Sequence, residues 1–483
     1  DCVPAVSHPC DLSATRARQL IGTGELSPED LLESCIARVN AANPAINAIV
    51  ATDFERARRD AVAAAQAVRD GAELGPLHGL PIGIKDLNAT EGLRTTWGSL
   101  LHADHVPKKD EPMVTRLRHA GAIIAAKTNT PEFGAGTHTT NKVYGPTHNP
   151  FDLDRTSGGS SGGSGAALAT GMLPLAHGSD TGGSLRNPAT WCGVVGFRPT
   201  PGLVPRESRP LNFSHFSVQG PMARSVSDVA LMMAGLVADA DRDPLTGPCD
   251  PSAFLDLEPF DLGIVRAAWT EDFGGVAPVD NNIRACFQAV IGKLDSSFGT
   301  ISADDPDFAD AGDCFWTLRC VNYLASHTKR YETHGEKLSP NIIANIEDGR
   351  KMSLADVAEA EVQWRRIYTT FQDYFEDKDV LIVPGNAVPA FLIEDGIPKE
   401  VNGQPMANYM GASLIRSALT LTGHPVLALP CGLDHLGLPF GVQLVGKRRG
   451  DVELLRIAIA LETEFANIPG LERPVPNLEE FTT

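Results

Sequence analysis

Apolar positions along this chain keep a helical spacing for about the first 70 residues and then change to short unbroken runs. The predicted elements change with them. Ser13 is placed to cap a first helix, ATRARQLIGTG. Ser27-Pro28-Glu29-Asp30 opens a second with a cap, a proline at the first helical position and early acidic residues that suit the positive end of the helix dipole. Leu31, Leu32, Cys35, Ile36 and Val39 then form one stripe, and the helix is expected to end near residue 42. The Ala- and Arg-rich stretch 53–70 predicts a third helix. From there the pattern shortens. LHGLPIGIKD (77–86) and AGAIIAAKTNT (120–130) read as buried strands ending in loops, with a helix over 112–119 between them. That alternation predicts βαβ units, an α/β fold and a mainly parallel sheet. Further strands are predicted at 193–200, 262–268, 379–390, 424–433 and 440–446, the last two as a strand-turn-strand pair. Helices are predicted over 226–238, 281–294, 353–375 and 451–465. Residues 270–400 are the least regular and are expected to form a variable, substrate-shaping region. Residues 1–70 read as a helical segment packed on the core that 71–483 builds.

Composition changes this picture little and charge changes it more. The chain has 483 residues, so two to four units of the usual ~100–200 residues or one large enzyme fold are both open. Its net charge of −19 argues against a nucleic-acid groove, which needs a basic stripe, and against an anionic membrane as partner. No run of about 18 apolar residues predicts a membrane-spanning helix. No signal peptide is visible at the start, although the numbering begins at Asp1 without Met and leaves a trimmed leader open. Nine scattered cysteines without a CxxC read as mostly buried free thiols in a reducing, hence cytoplasmic, setting. A Cys2–Cys10 bridge would rest only on closeness in sequence. HExxH and paired Cys/His spacings are absent, so neither a metal nor another cofactor is expected.

The chemistry concentrates in SGGSSGGSGAALATGMLPLAHGSDTGGSLRNP, residues 157–188. Flexible linkers are also Gly/Ser-rich, but a linker would not hold Ala166, Leu168, Met172, Leu173 and Leu175 between two such clusters. The intervening segment reads as helical, and the clusters as tightly turned backbone that presents serine hydroxyls and bare N–H groups. Gly182-Gly183-Ser184 allows consecutive N–H groups to point one way, which is the form of an anion-binding nest or an oxyanion hole. A phosphate would suit such a nest too, but the G-x-x-x-x-G-K-[ST] pattern is missing. Nor does the segment match the G-x-S-x-G elbow. A serine nucleophile needs a base. Lys85, flanked by Ile82, Ile84 and Leu87, is a candidate, because desolvation lowers a lysine's pKa. Its alternative is a strand-end lysine with its head in water. His177 sits in an apolar segment and reads as structural. His78 and His424 read as packing or hydrogen-bonding residues, and Cys192 as a core thiol.

Taken together, GLPIGIKD, GGSSGGSGAA and GSDTGGSLRNPATWCGVVGFRPT, with the tail TGHPVLALPCGLDHLGLPFGVQLVG, resemble the amidase signature family of serine hydrolases. The resemblance covers residues 13–465. It implies a large mixed, mainly parallel central sheet covered by helices on both faces, with 71–483 as the catalytic domain. It further implies a Ser–cis-Ser–Lys triad: Ser184 as nucleophile, Ser160 as bridge after a cis Gly159–Ser160 peptide, and Lys85 as base. The N–H groups of Thr181, Gly182, Gly183 and Ser184 would form the oxyanion hole. Asp180 and Arg186 would brace the loop, and Ser161 would support the hydrogen bonds. Gly134, Ala135, Gly136 and Thr137 would line the acyl pocket, with Leu211, Phe213, Phe216 and Trp316 as candidate apolar walls or ordinary core. Thr420 replaces an asparagine frequent in the family, which puts local packing in doubt. The implied activity is hydrolysis of a small to medium, largely uncharged acyl or aryl amide through an acyl-enzyme. Carbamates, hydrazides and esters are alternatives for the same triad. So is the A subunit of a tRNA-dependent amidotransferase, although 310–380 shows no convincing glutamine-binding arginine segment. An inactive binding protein is a further alternative, disfavoured by the intact Lys85, Ser160 and Ser184. A small-molecule substrate is the expected partner, and the N-terminal helices offer a surface for a homodimer.

Overall fold

The short apolar runs assemble into one sheet. The computed structural model describes residues 8–481. Its strands are β1 (Ile49–Thr52), β2 (Pro81–Lys85), β3 (Ile123–Thr128), β4 (His148–Asn149), β5 (Asp152–Thr156), β6 (Leu175–Asp180), β7 (Val195–Arg198), β8 (Val218–Ala223), β9 (Arg266–Trp269), β10 (Thr300–Ala303), β11 (Val380–Pro384), β12 (Glu400–Val401), β13 (Gln404–Pro405), β14 (Val426–Leu433) and β15 (Pro439–Gly446). Eleven of them lie side by side in the order β1-β3-β2-β6-β8-β7-β14-β15-β11-β9-β10; β4/β5 and β12/β13 are separate two-stranded pairs. Every residue of β2, β3, β8, β11 and β15 is buried. Strands buried on both faces read as continuous apolar runs rather than alternating ones, and that is why the runs were legible.

The large mixed sheet is as expected, and its parallel pairings have a definite place. They join β3, β2 and β6 on one flank and β11, β9 and β10 on the other. Between the flanks, from β6 through β8, β7, β14 and β15 to β11, neighbours run antiparallel. The βα alternation that signals parallel pairing belongs to the flanks, and the short return of β14 into β15 makes the centre antiparallel.

The N-terminal helices follow their signals. Ser13 Oγ accepts from Arg16 N at 3.1 Å and Ser27 Oγ from Asp30 N at 2.9 Å. The second helix runs to Ile46 rather than 42, since Ala42 and Ile46 continue its buried stripe. It stops at Asn47, which turns left-handed (φ 55°) while its amide donates to Tyr144 O and Pro146 O. β1, not predicted, pairs antiparallel with β3, so this segment contributes a strand to the sheet as well as helices. The segment after the first Gly/Ser cluster is a helix only from Gly162 to Ala169; the chain turns at Gly171 (φ 70°) and continues as β6. Backbone crowding explains the cluster: a Cβ on Gly163 would lie 2.2 Å from Asn129 N.

The eight cysteines of the described residues are free thiols; Cys2, and with it a Cys2–Cys10 bridge, lies outside them. Among the described residues no helix is long and apolar enough to cross a membrane.

Candidate active site

β2 and β6 are parallel neighbours, so their carboxyl ends open at the same edge, where ligands of such sheets bind. β2 ends in Lys85 and β6 in Ser179-Asp180. The first Gly/Ser cluster delivers Ser160 and Ser161 to the same point, and the Gly159–Ser160 peptide is cis, as expected. Lys85 is fully buried. Its Nζ contacts Ser160 Oγ at 2.7 Å, Ser161 Oγ at 2.9 Å and Ser179 Oγ at 3.0 Å. Ser161 Oγ donates in turn to Ser179 O at 3.3 Å. Burial holds the Lys85 amine well below the usual lysine range; the Asp180 charge offsets part of this and Arg206 adds to it. A neutral amine donates two hydrogens and accepts one, and three hydroxyls match that capacity. Ser179 was missed in the sequence, although it stands next to Asp180 inside GSDTGGS.

The loop after β6 is held by one carboxylate. Asp180 accepts from Gly183 N (3.0 Å), Leu185 N (3.1 Å), Arg186 Nε and Nη2 (3.0 Å each) and Arg198 Nη1 (3.2 Å). Burial alone would push this carboxyl up, but the guanidinium groups of Arg186 and Arg198 outweigh it and hold it well below the usual carboxylate range. Asp180 thus links Gly183, Leu185 and Arg186 of this loop to one another. One part of the expected nest changes: the Gly183 N–H is already given to Asp180 Oδ1. Among the described residues the N–H groups of Thr181, Gly182 and Ser184 have no protein acceptor, so those three remain open to a ligand. Gly183 adopts φ 117°, and a Cβ there would lie 2.6 Å from Arg416 Nε. Thr420 does more than pack: its Oγ1 donates to Thr181 O at 2.6 Å and so holds the loop's first carbonyl.

A cavity of ≈ 140 Å³ opens over Ser160, Ser179, Thr181 and Ser184. Ser184 is half-buried and also borders a smaller recess beside Gly182 and Gly183. Ser161 N donates to Ser184 O at 3.3 Å, which ties the two clusters together. Gly134 lines both spaces, and Gly136 and Thr137 line the recess. Ala135 does not. It turns away into a side cluster with Leu338, Ile342 and Ile346. Of the four candidate walls, Phe216 lines the cavity, joined by Phe133, which sequence reasoning passed over. Trp316 lines a neighbouring cavity, Phe213 is 76% exposed, and Leu211 lines neither space over Ser184. A further wall of the cavity comes from the unpredicted helix Ala311–His334, through Arg319, Asn322, Tyr323, Ser326 and His327. Arg319, on this helix, thus reaches the cavity.

The remaining candidates are structural. His177 is fully buried, and burial holds it neutral, well below the usual histidine range, with Lys85 and Lys127 adding to the effect. His78 bonds Ala64 O and His424 bonds Gly446 O. Cys192 Sγ donates to Ser157 O at 3.3 Å, and burial pushes its thiol up. Among the described residues no group of His, Cys, Asp and Glu is arranged to hold a metal.

Comparison with known proteins places the whole architecture. The family model "Amidase" matches residues 30–455. An acylamidase of Rhodococcus erythropolis is 33% identical over 453 residues, covering 93% of this chain and 95% of the relative. The A subunit of the glutamyl-tRNA(Gln) amidotransferase of Desulforapulum autotrophicum is 30% identical over 500 residues, covering 97% and 99%. The crystal structure of a bacterial aryl acylamidase of the amidase signature family superposes with a TM-score of 0.86 at 26% identity, covering 95% of this chain and 98% of that one. With the family model matched over most of its length, and relatives of this identity along nearly all of it, the chain belongs to the amidase signature family.

Proposed function

We propose that this protein is an amide hydrolase that cleaves the C–N bond of a small to medium acyl or aryl amide through an acyl-enzyme on Ser184. The observation that carries the reading is the fully buried Lys85 amine, surrounded by the hydroxyls of Ser160, Ser161 and Ser179. Neutral Lys85 takes the proton of Ser160 as Ser160 takes that of Ser184. Ser184 Oγ attacks the amide carbonyl, and the N–H groups of Thr181, Gly182 and Ser184 receive the oxyanion. The proton returns through Ser160 to the leaving nitrogen, and the amine departs. Water, activated by the same relay, attacks the acyl-enzyme and frees the acid. Preorganised donors of this kind are each worth about 100- to 1,000-fold in rate. Carbamates, hydrazides and esters present the same carbonyl to the same groups. The helix Ala311–His334, within 270–400, shapes the substrate space by forming one wall of the cavity.

The acylamidase and aryl acylamidase relatives support the free-standing reading. The amidotransferase A subunits among the relatives favour a second one, in which the chain works within a complex. Turnover of 4-nitroacetanilide by the isolated chain distinguishes them. We expect release of 4-nitroaniline without added protein or glutamine. Glutamine hydrolysis that needs added partner proteins, with no anilide cleavage, would overturn the free-standing reading.

A further inference from the structure

The cavity over Ser184 is lined by Arg206, Arg209 and Arg319 and by no aspartate or glutamate. On a chain of net charge −19 this is a local inversion of sign. Arg209 is already paired: Nη2 meets Asp243 Oδ2 at 2.8 Å and Nη1 donates to Ser214 O at 2.7 Å. Arg319 is not paired in this way, although it is only 4% exposed. Its Nε and Nη2 donate to Tyr409 Oη at 3.1 and 2.8 Å, and Nη2 donates to Tyr323 Oη at 3.0 Å. The same two rings lie against the guanidinium, 4.8 Å away for Tyr323 and 5.6 Å for Tyr409. Among the described residues no carboxylate reaches Arg319 and its Nη1 has no protein acceptor. Arg319 also borders the recess beside Gly182, Gly183 and Ser184, so it spans both spaces around the candidate nucleophile. Arg206 is half-buried on the same cavity, and its side chain makes no hydrogen bond or ion pair among the described residues.

A buried cation without a counter-charge is unfavourable unless something completes it. The tyrosines fix the plane of the Arg319 guanidinium but supply no negative charge. A guanidinium held in one orientation with an open donor edge matches a planar anion. We propose that the substrate carries a carboxylate-type anion, received by Arg319 with Arg206 on the same cavity. This rests on the amide-hydrolase reading and refines the expected largely uncharged substrate to an uncharged body with one anionic terminus. The anion belongs to the acyl part or to the amine part, and the experiment separates the two.

Two isosteric pairs test it. For the acyl side, the 4-nitroanilide of glutaric acid is compared with that of 5-methylhexanoic acid. For the amine side, 4-acetamidophenylacetate is compared with 4-isobutylacetanilide. In at least one pair kcat/KM for the acidic member should exceed that of its neutral partner by about 10- to 100-fold, the range of a charge-assisted hydrogen bond. The ratio within the pair cancels any general loss of active enzyme. Arg319→Met should bring it to about 1 or below, Arg319→Lys should keep part of it, and Arg206→Gln should lower it. A turnover-independent readout uses phosphonylation of Ser184 by a fluorophosphonate: glutarate or phenylacetate should slow labelling of the wild type but not of Arg319→Met. Ratios near 1 in both wild-type pairs, or an unchanged ratio in Arg319→Met, would overturn the anion site while leaving the hydrolase reading intact. Absence of Ser184 labelling would overturn the hydrolase reading itself, and the anion site with it.

Discussion

Ser184→Ala is expected to lower kcat for a cleaved amide by about 10⁵- to 10⁶-fold, the size of loss seen when the nucleophile of a serine-hydrolase relay is removed. The fold should survive. Ser184 Oγ has no protein hydrogen-bond partner among the described residues, and the backbone links of this residue, through its carbonyl to Ser161 N, do not involve its side chain. Alanine therefore removes one oxygen facing the cavity and leaves the Asp180 brace in place. The residual rate should come from the open N–H groups and from substrate binding. Circular dichroism and melting temperature beside the rate will separate loss of chemistry from loss of structure. A variant within about tenfold of the wild type would exclude Ser184 as the nucleophile.

Lys85→Met is expected to combine a large loss of activity with a loss of the pH dependence of stability. General-base catalysis contributes about 100- to 10,000-fold, and in the proposed relay this base also activates the nucleophile, so the loss should reach the upper end of that range or exceed it. The wild-type kcat/KM should rise with pH through the lowered Lys85 pKa and then level off, because the proposed relay uses the neutral amine. In Lys85→Met that limb should disappear. Activity that instead falls as pH rises through this region would mean the ammonium is the active form, contrary to the relay. The pH dependence of folding stability has the same origin. Between the lowered folded pKa and the unfolded value near 10.4 the unfolded chain binds a proton that the folded one does not. Folding stability therefore rises with pH across that window, and at neutral pH Lys85 is a burden on the fold. Methionine fills similar volume and does not titrate, so the rise of melting temperature with pH across that window should flatten in Lys85→Met.

Lys85, Ser160 and Ser184 were legible because each sits inside a short contiguous signal: an apolar run ending in lysine, and two glycine-serine clusters whose glycines permit close backbone contact. Gly163 is the clear case, since no larger residue fits against Asn129 N. The strands were legible for a related reason, as sheets covered on both faces leave unbroken apolar runs. What stayed hidden depended on long-range pairing. β1 is four residues long and gains meaning only from its partner β3. The spent Gly183 N–H could not be foreseen, because nothing in DTGGS says which donor the preceding aspartate takes. The helix Ala311–His334 carries the cavity wall that stayed hidden. Arg319, Asn322, Tyr323, Ser326 and His327 stand at i, i+3, i+4, i+7 and i+8, a continuous helical face. A search for apolar stripes takes such a polar face for the solvent side, whereas here it lines the cavity. A polar stripe with helical period that also carries an aromatic residue is the signal that would have found it.

Intact-protein mass spectrometry after exposure to a fluorophosphonate is the most direct test of the central claim, with Ser184→Ala and Lys85→Met treated in parallel. The proposed relay predicts a single adduct on the wild type, located on Ser184, absent from Ser184→Ala and formed far more slowly on Lys85→Met. A folded wild type that takes no adduct, or an adduct that persists in Ser184→Ala, would contradict it.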